Sequence, residues 1–163
     1  MTTADFCALP ELCVRGLQVR TSEGVLQHLA QRAVAAGAVT DTFPAALLER
    51  EATHPTGLPT AIPVAIPHAD AAHVRTAGMG IAVLETPVSF GVMGGAGAQI
   101  DVGIVLMLLV PEAHAQVTVL SRLMEIVQRP TWDASLRLAG NASELAAAFN
   151  LQLSGPTEQR ARH

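Results

Sequence analysis

The stretch Ala61-Ile62-Pro63-Val64-Ala65-Ile66-Pro67-His68-Ala69-Asp70 reads as a buried strand that delivers one histidine to a fixed position. Ile62, Val64 and Ile66 alternate with smaller residues, the two-residue period of a short half-buried strand. Pro63 has no N–H to give to a sheet ladder, so it belongs at an edge or a bulge. Pro67 fixes its own φ and turns Ile66 away from helical geometry, so His68 emerges just beyond a rigid strand end. An imidazole held there suits a base, a metal ligand or a nucleophile, and equally a polar loop residue.

On the N-terminal side of this stretch, two helices precede it after an irregular start. Thr21 or Ser22 caps the first, which runs to about Ala36 with Val25, Leu26, Leu29 and Ala33 as its apolar stripe and Gly37 as its stop. Asp41 caps the second, Pro44 is tolerated in its first turn, and Phe43, Leu47 and Leu48 supply apolar contacts. That helix ends near His54-Pro55-Thr56-Gly57.

On the C-terminal side, Gly78 to Leu84 reads as a strand and Val88 to Phe90 as a short one. Gly91, Gly94, Gly95 and Gly97 make a hairpin-like connection, without the lysine and spacing of a phosphate-binding loop. Val102 to Val110 is a near-continuous apolar run suited to a central strand covered on both faces. Pro111 ends it, and a helix follows from Ala113 to Val127 with Val117, Leu120, Leu123, Met124 and Val127 on its packing face. Asn141 or Ser143 caps a last helix carrying Leu145 and Phe149. Strands alternating with helices imply an α/β fold, here a three-layer α/β/α sandwich with a central mixed sheet. Residues 1–155 form the expected single domain, and 156–163 a flexible C-terminal tail.

Composition narrows the function classes. Half the residues are hydrophobic, but only 3% are aromatic and there is no tyrosine, so the core is built from Ala, Val and Leu. A formal charge of −4 and the lack of a basic-plus-aromatic pattern argue against a nucleic-acid partner. The start carries no signal-like pattern and the longest apolar run is too short to insert in a membrane, which points to the cytoplasm. Cys7 and Cys13 are close enough to close one disulfide, but that compartment favours two free thiols.

Three chemistries compete for His68. With Asp70, His73 and a folded-back His54 it resembles a metal set, yet the spacing matches no zinc motif. A serine hydrolase lacks its nucleophile elbow, and Ser89 and Ser121 have no triad context. Arg50, in Glu49-Arg50-Glu51, is the better partner: its planar donor array suits a phosphoryl group, and the flanking carboxylates can orient it. A surface ion-pair cluster is the plainer reading of the same trio.

Several blocks together resemble the IIA component of the bacterial phosphoenolpyruvate-dependent sugar phosphotransferase system, in its fructose-mannitol superfamily. They are Leu47-Leu48-Glu49-Arg50-Glu51, Pro55-Thr56-Gly57-Leu58, Val64-Ala65-Ile66-Pro67-His68, Leu108-Leu109-Val110-Pro111 and Gln116 through Leu123. The resemblance implies phosphorylation of His68 by the phosphocarrier HPr and transfer to a cysteine of a IIB component, which works with the membrane component IIC. It implies Arg50 as the residue binding the phosphoryl oxygens, and no cofactor or metal. Many members carry a second active-site histidine where this chain has Gln116, with His114 two residues upstream. Galactitol-type relatives are similar in using glutamine there, and in Arg50-Glu51-Ala52 and His54-Pro55-Thr56-Gly57. Gln116 donates a hydrogen bond but supplies no imidazolium charge. The other readings left open are a regulatory protein of the same system and, more distantly, a metal-dependent hydrolase.

Overall fold

In a computed structural model of the chain, residues 5–155 are described, so the expected tail 156–163 lies outside them. Five strands form one sheet in the order β1-β4-β5-β3-β2. These are β1 (Val14–Leu17), β2 (Gly57–Leu58), β3 (Val64–Ala65), β4 (Gly78–Gly91) and β5 (Gln99–Leu109). The sheet is mixed: β1 with β4 and β3 with β5 are parallel, while β4 with β5 and β2 with β3 are antiparallel. The helices are α1 (Ser22–Ala35), α2 (Phe43–Thr53), α3 (Ala113–Val127), α4 (Ala134–Leu138) and α5 (Ala142–Ser154).

The three layers follow from the period of two along the strands. Ile104, Leu106 and Leu108 of β5 pack with Val119 and Leu123 of α3 and with Leu145 and Phe149 of α5. Val105, Met107 and Leu109 face the other way, onto Leu26 and Leu29 of α1 and Phe43 and Leu47 of α2. Because β5 is central and covered on both faces, its apolar run shows no alternation. The architecture is the α/β/α sandwich expected from the sequence.

Local signals mostly hold. Thr21 caps α1, its Oγ1 accepting from the Gly24 N–H at 3.0 Å, and Gly37 follows the helix at φ +71°. Asn141 caps α5 by accepting from the Glu144 N–H at 2.9 Å. Cys7 and Cys13 are both free, and burial pushes the Cys13 thiol up to about 11.

Five expectations are corrected. Val117 stands exposed on α3 instead of on its packing face, where Val119, Leu123, Ile126 and Val127 are buried. Asp41 does not cap α2; Thr42 is its N-cap, and without a side-chain cap bond, because the Thr42 hydroxyl bonds Thr40 and His73 instead. The two strands expected over Gly78 to Phe90 are one strand, β4, whose register with β5 shifts between Val83 and Val88. Pro87 lies in that interval, where a missing N–H is tolerated. The start expected to be irregular contains β1. Finally, the strand expected over Ala61 to Asp70 is only Val64–Ala65, with one further bridge from His68 to Leu108. Pro63 and Pro67 bracket the pair and offer no N–H, so Pro63 sits just outside the ladder rather than at a sheet edge. Pro67 still contributes its carbonyl, which accepts from the Leu108 N–H at 3.0 Å.

Candidate active site

His68 leaves the sheet beside β5 and is only 8% exposed. Its Nδ1 lies 2.9 Å from the carbonyl oxygen of Ile66. A carbonyl only accepts, so in the neutral ring Nδ1 carries the hydrogen and Nε2 holds the free lone pair. Burial holds the His68 pKa below the ordinary imidazole value, and the Arg50 charge pushes the same way; the Ile66 carbonyl and Asp70 oppose them. The ring is therefore neutral and oriented. That is the state of a nitrogen nucleophile.

Arg50 comes from the last turn of α2. Its Nη1 lies 3.4 Å from Oδ1 of Asp70, two residues beyond His68, and its Nε is buried with no hydrogen-bond partner among the described residues. A buried orphan N–H is costly, and an incoming acceptor oxygen relieves it. The guanidinium is not oriented by its sequence neighbour Glu51. Instead Asp70 reaches Arg50, and Glu51 turns inward.

Glu51 and Thr56 are the site residues whose part was missed. Both are buried, and the Glu51 carboxylate accepts the Thr56 N–H at 2.9 Å and the Thr56 hydroxyl at 2.9–3.0 Å. Burial raises the Glu51 pKa, and the bonds from Thr56 act against that shift. A signal was present: Phe43, Leu47 and Glu51 recur every four residues on one helix face, and that face is buried. Behind Thr56, a side chain on Gly57 would meet the Gly91 carbonyl oxygen at 2.5 Å, so only glycine fits against the β4 end there.

Gln116 lies in the second turn of α3, and its Nε2 donates to the Ala69 carbonyl at 3.3 Å, beside His68. His114 has an 82% exposed side chain and pairs with Glu112 at 3.1 Å. Two residues apart on a helix is about 200° of rotation, which puts His114 and Gln116 on opposite faces. Of the candidate metal set, His73 is turned away, its Nδ1 at 2.8 Å from Thr42 Oγ1. Among the described residues no three His, Cys, Asp or Glu side chains group closely enough to hold a metal ion. Ser89 is bonded to Gln99 across the β4–β5 hairpin.

Residues 9–151 match the family described as phosphoenolpyruvate-dependent sugar phosphotransferase system, EIIA 2. The chain belongs to that family. Membership brings the general phosphorelay role of a PTS IIA component in sugar transport. Solved structures agree in fold. A candidate PTS IIA protein, PtxA, from Streptococcus mutans is 17% identical with a TM-score of 0.72, over 90% of this chain and 92% of that one. The mannitol-specific cryptic enzyme IIA CmtB from Escherichia coli is 16% identical at a TM-score of 0.70, covering 93% and 99%. The nitrogen regulatory protein IIA-Ntr from Neisseria meningitidis is 22% identical at 0.64, covering 90% and 97%. No curated protein matches the chain by sequence. Among the described residues no helix is long and apolar enough to cross a membrane.

Proposed function

We propose that this PTS IIA domain relays a phosphoryl group through Nε2 of His68, taking it from HPr and passing it to a cysteine of a IIB component. The carrying observation is the commitment of Nδ1 to the Ile66 carbonyl in a buried ring, which leaves Nε2 as the one lone pair. In the first step the Nε2 lone pair attacks phosphorus, the new N–P bond forms, and the donor imidazole departs with the electrons of the broken one. Arg50 neutralises charge on the equatorial oxygens, its unpartnered Nε–H being the donor in waiting. Gln116 is the neutral hydrogen-bond donor near the phosphohistidine, held there by its bond to the Ala69 carbonyl. In the second step the IIB thiolate attacks phosphorus and His68 leaves neutral.

Within the family the reading extends to the galactitol-type branch, supported by Arg50-Glu51-Ala52, His54-Pro55-Thr56-Gly57 and glutamine at position 116. This cytoplasmic chain then works with HPr and IIB, IIB in turn with membrane IIC, and IIB and IIC choose the sugar.

Incubation with phosphoenolpyruvate, enzyme I and HPr is expected to place one acid-labile, base-stable phosphoryl group on the chain. His68→Ala is expected to keep the fold and lose that group entirely; labelling of the folded variant overturns the assignment. Discharge onto a co-encoded IIB cysteine tests transport. Failure with every such IIB, with phosphorylation-dependent binding to another protein, makes the chain a regulator.

A further inference from the structure

We propose that Glu51 is a positioning residue for the His68 imidazole, acting through Thr56 and Ile66; this rests on the reading of His68 as the phosphoryl acceptor. Among the described residues the buried polar and charged side chains are Glu51, Thr56 and His68, and all three lie on one hydrogen-bonded path. The path starts at the Glu51 carboxylate, which holds Thr56 by its N–H and its hydroxyl. The Thr56 carbonyl accepts from the Ile66 N–H at 3.4 Å, and the Ile66 carbonyl accepts from His68 Nδ1 at 2.9 Å. The last of these bonds sets both the ring orientation and the nitrogen left free to react.

Fold stability does not explain Glu51. A carboxylate in the last turn of a helix opposes the macrodipole, and burial adds a desolvation cost. A hydrophobic residue continuing the Phe43 and Leu47 stripe carries neither penalty. What the carboxylate does there is tie α2, which carries Arg50, through Thr56 to the Ile66–His68 segment. Backbone pairing of that segment is short, two residues of β3 with β2, two with β5 and one bridge from His68 to Leu108. Both groups assigned to the phosphoryl unit are thus referenced to one buried, hydrogen-bonded side chain.

The test compares Glu51→Ala, Glu51→Gln and Thr56→Val, with transfer from phospho-HPr resolved into kcat and KM and the His68 ring followed by 15N NMR. Glu51→Ala is expected to lower kcat on the order of 10- to 100-fold with KM for phospho-HPr unchanged. Its His68 ring is expected to lose the pure Nδ1–H tautomer. Glu51→Gln is expected to recover most of the rate, because its carbonyl accepts the Thr56 N–H while its NH2 donates to the hydroxyl. Thr56→Val, which removes the hydroxyl alone, is expected to fall between them and decides the matter if Glu51→Ala does not fold. Wild-type kcat and tautomer in folded Glu51→Ala or, failing that, in Thr56→Val overturn the proposal. Equal losses in Glu51→Ala and Glu51→Gln also overturn it, by assigning the effect to charge. Labelling of His68→Ala, by contrast, breaks the acceptor reading itself.

Discussion

β5 and the segment from Ala61 to Asp70 lie side by side in the sheet and are held in opposite ways. β5 is an 11-residue strand, paired on one side along β4 and buried against helices on both faces. The neighbouring segment has a two-residue strand between prolines and takes its definition from hydrogen bonds to Thr56, Leu108 and Gln116. Apolar area holds the first, and individual polar bonds aim the second. Hydrophobic burial is strong but non-directional, whereas a hydrogen bond fixes an atom. Substitutions in the two regions are therefore expected to separate stability from transfer.

The largest stability loss is expected in β5. Leu106→Ala removes a fully buried side chain and is expected to cost about 2–5 kcal/mol in a urea titration, with transfer per folded molecule unchanged. An equal fall in specific transfer merges the two regions and breaks the contrast.

Arg50→Ala should show the reverse pattern. It is expected to slow phosphoryl transfer roughly 10²- to 10³-fold. Its exposed partner Asp70 makes the ion pair worth at most about 1 kcal/mol of stability. Arg50→Lys rescues in part, because the planar donor fork is lost. A kinetically silent Arg50→Ala returns the residue to the surface-charge reading.

Acid sharpens the comparison further. The folded His68 pKa lies below the ordinary value of 6.5, chiefly through burial, so its NMR titration midpoint is expected below that of an exposed histidine. Below the folded midpoint the neutral acceptor falls about tenfold per pH unit. Stability moves with the same sign: above the unfolded value neither state holds the proton, and below it the unfolded chain binds first and gains. His28, shifted down by burial and by Arg32, contributes in the same direction, so the stability measurement belongs in a His28→Gln background. A midpoint at or above 6.5 overturns the buried-neutral description.

The smallest effect is expected at α3. Gln116→Ala removes one neutral hydrogen bond, worth about 1 kcal/mol or roughly fivefold in transfer. His114→Ala is expected to change nothing measurable with either HPr or IIB. A severe His114 defect beside a normal Gln116→Ala rate would exchange their roles.

Much of this molecule was legible in the chain because the signals are local. Thr21 and Asn141 announce their helices by accepting bonds from residues three positions on. Val102 to Leu109 needs no partner to read as a central strand, and Pro67 restricts its neighbours whatever surrounds it. The choice of His68, just beyond Pro67, and of Arg50 as the partner proposed for it followed from such features and from the resemblance. What the tertiary structure alone decided are contacts between segments. Asp70, 20 residues from Arg50, takes the guanidinium that Glu51 sits beside in sequence. Thr42, not Asp41, is the N-cap of α2, and its hydroxyl goes to Thr40 and to His73, 31 residues away, instead of to a helix N–H. The expected ten-residue strand shrinks to two because ladder length depends on what β2 and β5 offer opposite it, not on its own apolar pattern. Sequence determines the preferences of each residue for its immediate neighbours. Packing determines which distant polar groups share a site, since that depends on how whole helices and strands are stacked.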